Sequence, residues 1–234
     1  MSGHIPRSGQ GQVDEKIAAA LASHGLIPRG GFNFTASDVA PAGPSGGPAK
    51  SALLIGNIGA GYWLHFSQWR DEHPVDLANP LDSWSRQIIE AVAGDVGAHA
   101  VFPSDTPYLP FQQWAMRAEG TQPSPLGILM HPEYGLWHAY RGALLFDVEL
   151  TVGEPRGQNH LCDACVGKPC LKACPVGAYS AAGFAYQDCL AHVRGPDGAA
   201  CRETGCLDRN ACPYGTAYRY PAEVQAFHMA SFMR

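Results

Sequence analysis

Eight cysteines lie between positions 162 and 212, and the 161 residues before them contain none. They are Cys162, Cys165, Cys170, Cys174, Cys189, Cys201, Cys206 and Cys212, and both Cys174 and Cys212 are followed directly by proline. Thiolates spaced like this hold zinc, hold iron and sulfide, or pair as disulfides. Zinc leaves the two Cys-Pro steps unexplained. Disulfides need an oxidising compartment, and the start MSGHIPRSGQGQ has no apolar signal-peptide core. A cubane needs four thiolates around one small volume: three can come from a tight loop, and the fourth must come from elsewhere. Proline after that fourth cysteine fixes φ, removes a donor and turns the chain away. Eight thiolates suit two 4Fe–4S clusters with none left over. Small residues nearby (Ala164, Gly167, Ala173, Gly205, Ala211) let backbone N–H groups approach the sulfurs.

The spacing resembles a bacterial ferredoxin run, C-x2-C-x2-C-x3-C-P, whose last cysteine serves the other cluster. Here the first run is C-x2-C-x4-C-x3-C-P, with two extra residues before Cys170, and the second run is looser. By analogy with that crossed pattern, one cluster takes Cys162, Cys165, Cys170 and the remote Cys212. The other takes Cys174, Cys189, Cys201 and Cys206.

The chain that must position these thiolates has 234 residues, enough for one fair-sized domain and a small one. A net charge of −5 with dispersed basic residues gives no nucleic-acid footprint; the mild acidity is compatible with a basic redox partner but does not require one. No apolar run approaches the ~18–20 residues of a membrane span. Reduced thiols make the cytoplasm the expected compartment. Oligomeric state is not legible.

Residues 1–11 are polar and glycine-rich and read as a loose terminus. Val13 to His24 has Ile17, Ala20 and Leu21 at helical spacing. Gly31 to Thr35 and Ala52 to Ile55 read as strands. Gly56-Asn-Ile-Gly59-Ala-Gly61 has the wrong glycine spacing for a dinucleotide loop and reads as a tight turn into a helix from Tyr62 to Trp69. Asn79-Pro80 suits an N-cap and first helical position, with Trp84, Ile88, Ala91 and Val92 as the buried stripe and Gly94/Gly97 as the end. Ala98 to Phe102 reads as a strand and Phe111 to Ala118 as a short helix. Leu126 to Met130 and the run up to Phe146 read as two strands flanking a His131-Pro-x-x-Gly135 turn. Thr151 to Asn159 is the expected linker, and Pro221 to Phe232 a terminal helix. Strands alternating with helices indicate a layered α/β or α+β domain.

The segment Gly127-x-x-x-His131-Pro-x-x-Gly135-x-Trp137-x-x-x-Arg141-Gly142 resembles the cobalamin-processing decyanase/dealkylase chaperones. The eight-cysteine segment resembles the second half of epoxyqueuosine reductase and of reductive dehalogenases. Together the resemblances span most of residues 50–215. They imply an α+β protein: a nitroreductase-related α/β sandwich domain at 12–155, then a small ferredoxin-like domain at 156–234. They further imply a corrinoid, or less readily a flavin, in the first domain, fed with electrons by two 4Fe–4S clusters in the second. His131, Gly135, Trp137 and Arg141 are the cofactor-binding candidates, and His131 and Tyr134 the weak catalytic ones. Each has a plain alternative: His131 as a hydrogen-bonded turn residue, Trp137 and Tyr134 as packing, Arg141 paired with Asp147 or Glu149. Three roles stay open, namely a cobalamin-dependent oxidoreductase, a ferredoxin-type carrier without its own catalysis, and a cobalamin-reducing trafficking chaperone. Segments by which epoxyqueuosine reductase contacts its substrate are not found here.

Overall fold

The computed structural model describes residues 7–153, 160–180 and 183–234. Most of the expected linker, 154–159, lies outside them, as do residues 1–6. In chain order the first elements are α1 (Arg7–Ala22), β1 (Ile27–Asn33), β2 (Ser51–Ile58), α2 (Trp63–Asp71), α3 (Pro80–Val96), β3 (His99–Val101), α4 (Phe111–Glu119), β4 (Gln122–Pro123), β5 (Leu129–Met130) and β6 (His138–Phe146). After them come α5 (Leu161–Ala164), β7 (Tyr179–Ser180), β8 (Gly183–Phe184), α6 (Tyr186–Arg194), α7 (Ala199–Thr204), α8 (Leu207–Asn210) and α9 (Ala222–Phe232). The chain is a mixture of helix and sheet, consistent with α+β. It divides into two compact units: Met1–Gly120 with Ala139–Gly157, and Thr121–His138 with Gln158–Arg234.

The first unit is built on a sheet of order β1-β2-β6-β3. β1 runs antiparallel to β2 from Ile27↔Gly56 to Asn33↔Ser51, with a bulge between Pro28 and Gly31. β3 runs antiparallel to β6. β2 reads SALLIGNI, near-continuously apolar because it has a strand on each side and is buried along most of its length. α1 packs on α3 and β1, and α4 on β1 and β2. α3 shows why its sequence is helical: Leu81, Trp84, Ser85, Ile88, Ile89 and Val92 recur at helical spacing and are all buried. Each such large apolar side chain contributes about 1.5–3 kcal/mol when fully buried.

Several expectations need correction. The polar stretch 1–11 is not loose throughout, since α1 begins at Arg7. Asn79 makes no side-chain cap; it sits in the left-handed region at φ 48. Gly94 does not end α3, which runs through it to Val96 and closes on Gly97. The two strands expected to flank the His131 turn do not pair. Among the described residues β5 pairs only with β4, while β6 sits in the four-stranded sheet. What remains is a tight turn, in which His131 and Gly135 exchange backbone hydrogen bonds of 2.9 and 3.0 Å.

The second unit has little regular structure of its own. Its helices are short and are punctuated by the cysteines. α9 packs on α7 and closes the unit. Gln225 on α9 is buried and trades amide hydrogen bonds with Asn210 at 3.0 and 3.1 Å, which ties the terminal helix to the end of α8.

Candidate metal centre

All eight cysteines are free of disulfides, and all lie in the second unit. Their electrostatic neighbours sort them. Burial pushes the Cys162 thiol up to about 11, and the charges of Cys212, Cys170 and Cys165 push the same way. Burial also raises Cys170, reinforced by Cys212 and Cys165, and raises Cys212, reinforced by Cys165. Separately, burial pushes Cys189 up to about 11, with Cys206, Cys174 and Cys201 adding to it. Cys201 and Cys206 are raised by burial and both feel Cys174. Every cysteine pair so coupled falls inside one of two quartets, Cys162/165/170/212 or Cys174/189/201/206.

Four thiolates on one zinc would stand about 3.8 Å apart, given Zn–S bonds near 2.3 Å. Among the described residues no group of three His, Cys, Asp or Glu side chains is drawn together to hold a single ion. A cubane would be held by four such thiolates. The donor set fits such a group: it is all sulfur, partly desolvated and supplied with backbone donors. Ala178 N–H lies 3.4 Å from Cys174 Sγ, the kind of N–H···S contact that tunes a cluster.

Two residues outside any sequence motif adjoin the quartets. Tyr179 packs against the apolar cluster containing Cys162, Cys170 and Cys212. Its hydroxyl is pushed up to about 12 by burial and by Cys206, Cys189 and Cys174. Asp208 is 1% exposed. Its Oδ1 accepts the Ala173 N–H at 3.0 Å, and its Oδ2 has no hydrogen-bond partner among the described residues. Burial raises its pKa, opposed by the backbone N–H groups of Cys174 and Ala173. Asp208 therefore clamps the Ala173–Cys174 turn to α8. Only its place between Cys206 and Cys212 could have hinted at this.

The segment carrying His131 belongs to the same unit as the cysteines. Leu126, Met130 and Leu136 share one apolar cluster with Cys162, Cys170 and Cys212. Gly135 (φ 58) and Gly215 (φ 67) interlock: a Cβ at Gly135 would collide with Tyr214 O, and one at Gly215 with Tyr134 O. The turn is thus pinned to the chain just after Cys212-Pro213. His131 Nδ1 accepts the N–H groups of Glu133 and Tyr134 at 3.1 and 3.2 Å, and its ring stacks on Tyr134 at 4.0 Å. Trp137 is 0% exposed, with Arg209 4.3 Å from its ring and Tyr220 edge-on at 5.4 Å. Its indole N–H and the Arg209 Nε are both buried without a partner among the described residues.

Arg141 lies in the first unit, on β6. It pairs with neither Asp147 nor Glu149. Its Nε donates to the buried Asn57 at 2.9 Å, and its guanidinium lies 5.2 Å from the Tyr62 ring. Asp147 instead accepts the Ser45 N–H at 2.9 Å.

No protein-family description and no curated protein matches the chain. Its structure is similar to that of a C. elegans B12-trafficking protein CblC, a human MMACHC homologue, with a TM-score of 0.58 at 14% identity over 95% of this chain and 92% of that one. Selenomethionine-labelled epoxyqueuosine reductase gives a TM-score of 0.56 at 13% identity over 92% of this chain and 68% of the other. Epoxyqueuosine reductase from Bacillus subtilis gives 0.55 at 14% over 90% and 68%. At these identities the likeness is one of fold. Among the described residues no helix is long and apolar enough to cross a membrane.

Proposed function

We propose that the chain is an iron–sulfur redox protein that holds two 4Fe–4S clusters and passes electrons, with a corrinoid as their destination. The observation that carries this is the sorting of eight disulfide-free cysteines into two quartets that cross in sequence, each with a Cys-Pro cysteine borrowed from the other run. When bound, such clusters supply reversible one-electron transfer, and a corrinoid supplies cobalt that can accept the electrons. The chain's own part is to hold the sulfurs. Cys162, Cys165, Cys170 and Cys212 would ligate one cluster, and Cys174, Cys189, Cys201 and Cys206 the other. The Ala178 N–H and the Asp208 clamp fix Cys174.

On this reading the 12–155 region is a nitroreductase-related corrinoid domain and 156–234 a ferredoxin-like domain, a division that departs from the two compact units in one respect, because Thr121–His138 groups with the cysteines. His131, Gly135, Trp137 and Arg141 are assigned to corrin binding on the resemblance. Flavin is the less favoured cofactor. Enzymatic turnover is not required: the CblC-like fold match covers nearly the whole of that B12-trafficking protein, but only about two thirds of the reductase. A cobalamin-reducing trafficking role is the alternative kept beside a cobalamin-dependent oxidoreductase.

The test is anaerobic purification followed by iron and sulfide analysis, then gel filtration with added hydroxocobalamin. Brown protein that retains one corrin supports the whole reading. Clusters without corrin retention reduce it to a ferredoxin-type carrier. Colourless protein that analyses for zinc removes it. His131→Ala should weaken corrin binding while sparing iron; unchanged affinity would withdraw His131 from the site.

A further inference from the structure

The loop between Cys165 and Cys170 puts an uncovered apolar side chain beside the first quartet. Val166, next in sequence to Cys165, is 95% exposed. Beside it lies an open groove of about 370 Å³ lined by Val166, Gly167, Pro169, Lys172, Ala173 and Ala211. Lys172 is the one charged residue among them, and its ammonium lies 4.0 Å from where a Cβ at Gly167 would stand. A second lysine of the loop, Lys168, folds its ammonium onto the Cys162 carbonyl. No carboxylate lines the groove among the described residues.

We infer that this groove is the docking surface for a small acidic electron-carrier protein. The inference rests on the two-cluster reading above. An apolar centre with Lys172 beside it and no carboxylate in its lining suits a partner that presents a carboxylate next to a small apolar patch. Weak electron-transfer encounters bury under about 1,200 Å². Rim charges of this kind set the on-rate and its salt dependence. A second copy of the chain is the poorer occupant, because a two-fold pairing would bring Lys172 against its own counterpart. The redox step balances simply: the reduced carrier loses one electron, the chain gains it, and no bond or proton moves.

The test uses the full chain prepared anaerobically and a plant-type 2Fe–2S ferredoxin as the acidic probe. Binding is read by calorimetric titration at low and high salt, with iron and sulfide assayed on the same samples. The parent should bind, and salt should weaken the complex. Val166→Glu and Lys172→Glu should each weaken it about tenfold or more, a change of about 1.4 kcal/mol. Both variants should keep full iron and be reduced by dithionite at the parent's rate. Equal affinity of parent and variants, or tighter binding of the basic protein cytochrome c, overturns the inference while leaving the clusters standing. Self-association at this face, abolished by Val166→Glu, overturns it too. Iron-free protein overturns the cluster reading and the docking surface together.

Discussion

The crossing of the two quartets can be tested by counting iron. If each cluster holds four irons, the parent carries about eight per chain, and any single Cys→Ala leaves about four. Single variants cannot tell which cysteines belong together, but pairs can. Cys165 and Cys212 are far apart in sequence yet couple electrostatically, whereas Cys165 and Cys174 share one run and do not fall in a common quartet. Cys165→Ala/Cys212→Ala should therefore cost no more iron than either single change, leaving about four. Cys165→Ala/Cys174→Ala should strip both clusters and leave about none. If the clusters followed the chain in order, with Cys174 in the first and Cys212 in the second, the two double variants would trade outcomes. Anaerobic iron and acid-labile sulfide assays read the difference directly. Low-temperature EPR of the reduced protein distinguishes one surviving cluster from a mixed population. The reversed pattern would refute the quartets, and with them the reason to read Cys174-Pro175 and Cys212-Pro213 as crossing points.

The buried Arg29–Glu119 pair in the first unit is bidentate, at 2.8 and 2.6 Å, and Tyr140 also donates to Glu119. Glu119→Gln removes the carboxylate paired with the buried Arg29 guanidinium and should cost about 3–5 kcal/mol in urea unfolding. Burial alone would raise the Glu119 carboxyl, but Arg29, Tyr140 and the Gly30 N–H outweigh it and hold it low. Asp38 is held at about 2, against an ordinary 3.8, by the Thr35 N–H and then Arg117. Both carboxyls are depressed, so they contribute stability above the ordinary carboxylate range that is lost as pH falls from about 4 toward about 2. Thermal melts across that window should show a shallower decline in Asp38→Asn than in the parent. Gly94 lies inside α3 with nothing within 4 Å of where a methyl would stand, so Gly94→Ala should raise stability by about 0.5–1 kcal/mol. Gly135→Ala should do the reverse, at about 1–3 kcal/mol for the strained backbone alone. A melt in which Gly135→Ala matches the parent would contradict the interlock with Tyr214.

Much of the fold is legible in the sequence, and the reasons are physical. α3 announces itself because a helix with one buried face must repeat apolar residues at 3.6, and Leu81, Trp84, Ile88 and Val92 do so. β2 is legible because a strand with a neighbour on each side is apolar along its length. The cysteines are legible because few chemistries need eight thiolates. The errors come where partners distant in sequence decide. Leu126 to Met130 has strand-like residues, but its only strand neighbour among the described residues is the two-residue β4, so just Leu129 and Met130 pair. Asn79 has the right residue type for a cap, yet its backbone enters α3 left-handed and its side chain makes no cap bond. Arg141 has two acidic candidates nearby in sequence, yet it bonds a buried amide 84 positions away. Asp208 is hinted at only by its place between Cys206 and Cys212, because its importance lies in burial, which a sequence does not print.

The grouping of residues 121–138 with the cysteines explains how one cysteine can leave its own run. Cys212 is not placed by the Cys201–Cys206 turn alone. It sits in an apolar cluster with Leu126, Met130 and Leu136, and the chain just beyond it is locked at Gly215 to the turn at Gly135. Arg209, three residues before it, donates to the Leu136 carbonyl at 2.5 Å and lies over the Trp137 ring. So the segment that resembles a cofactor motif also holds Cys212 beside Cys162 and Cys170. Two demands on one stretch account for its composition. Glycines occur where backbones touch, an aromatic supports an arginine, and a histidine spends Nδ1 on its own turn. A change in this stretch should therefore register first in the iron of the Cys162 quartet. The Cys174 quartet, held by Asp208 and the Ala178 N–H, should be spared.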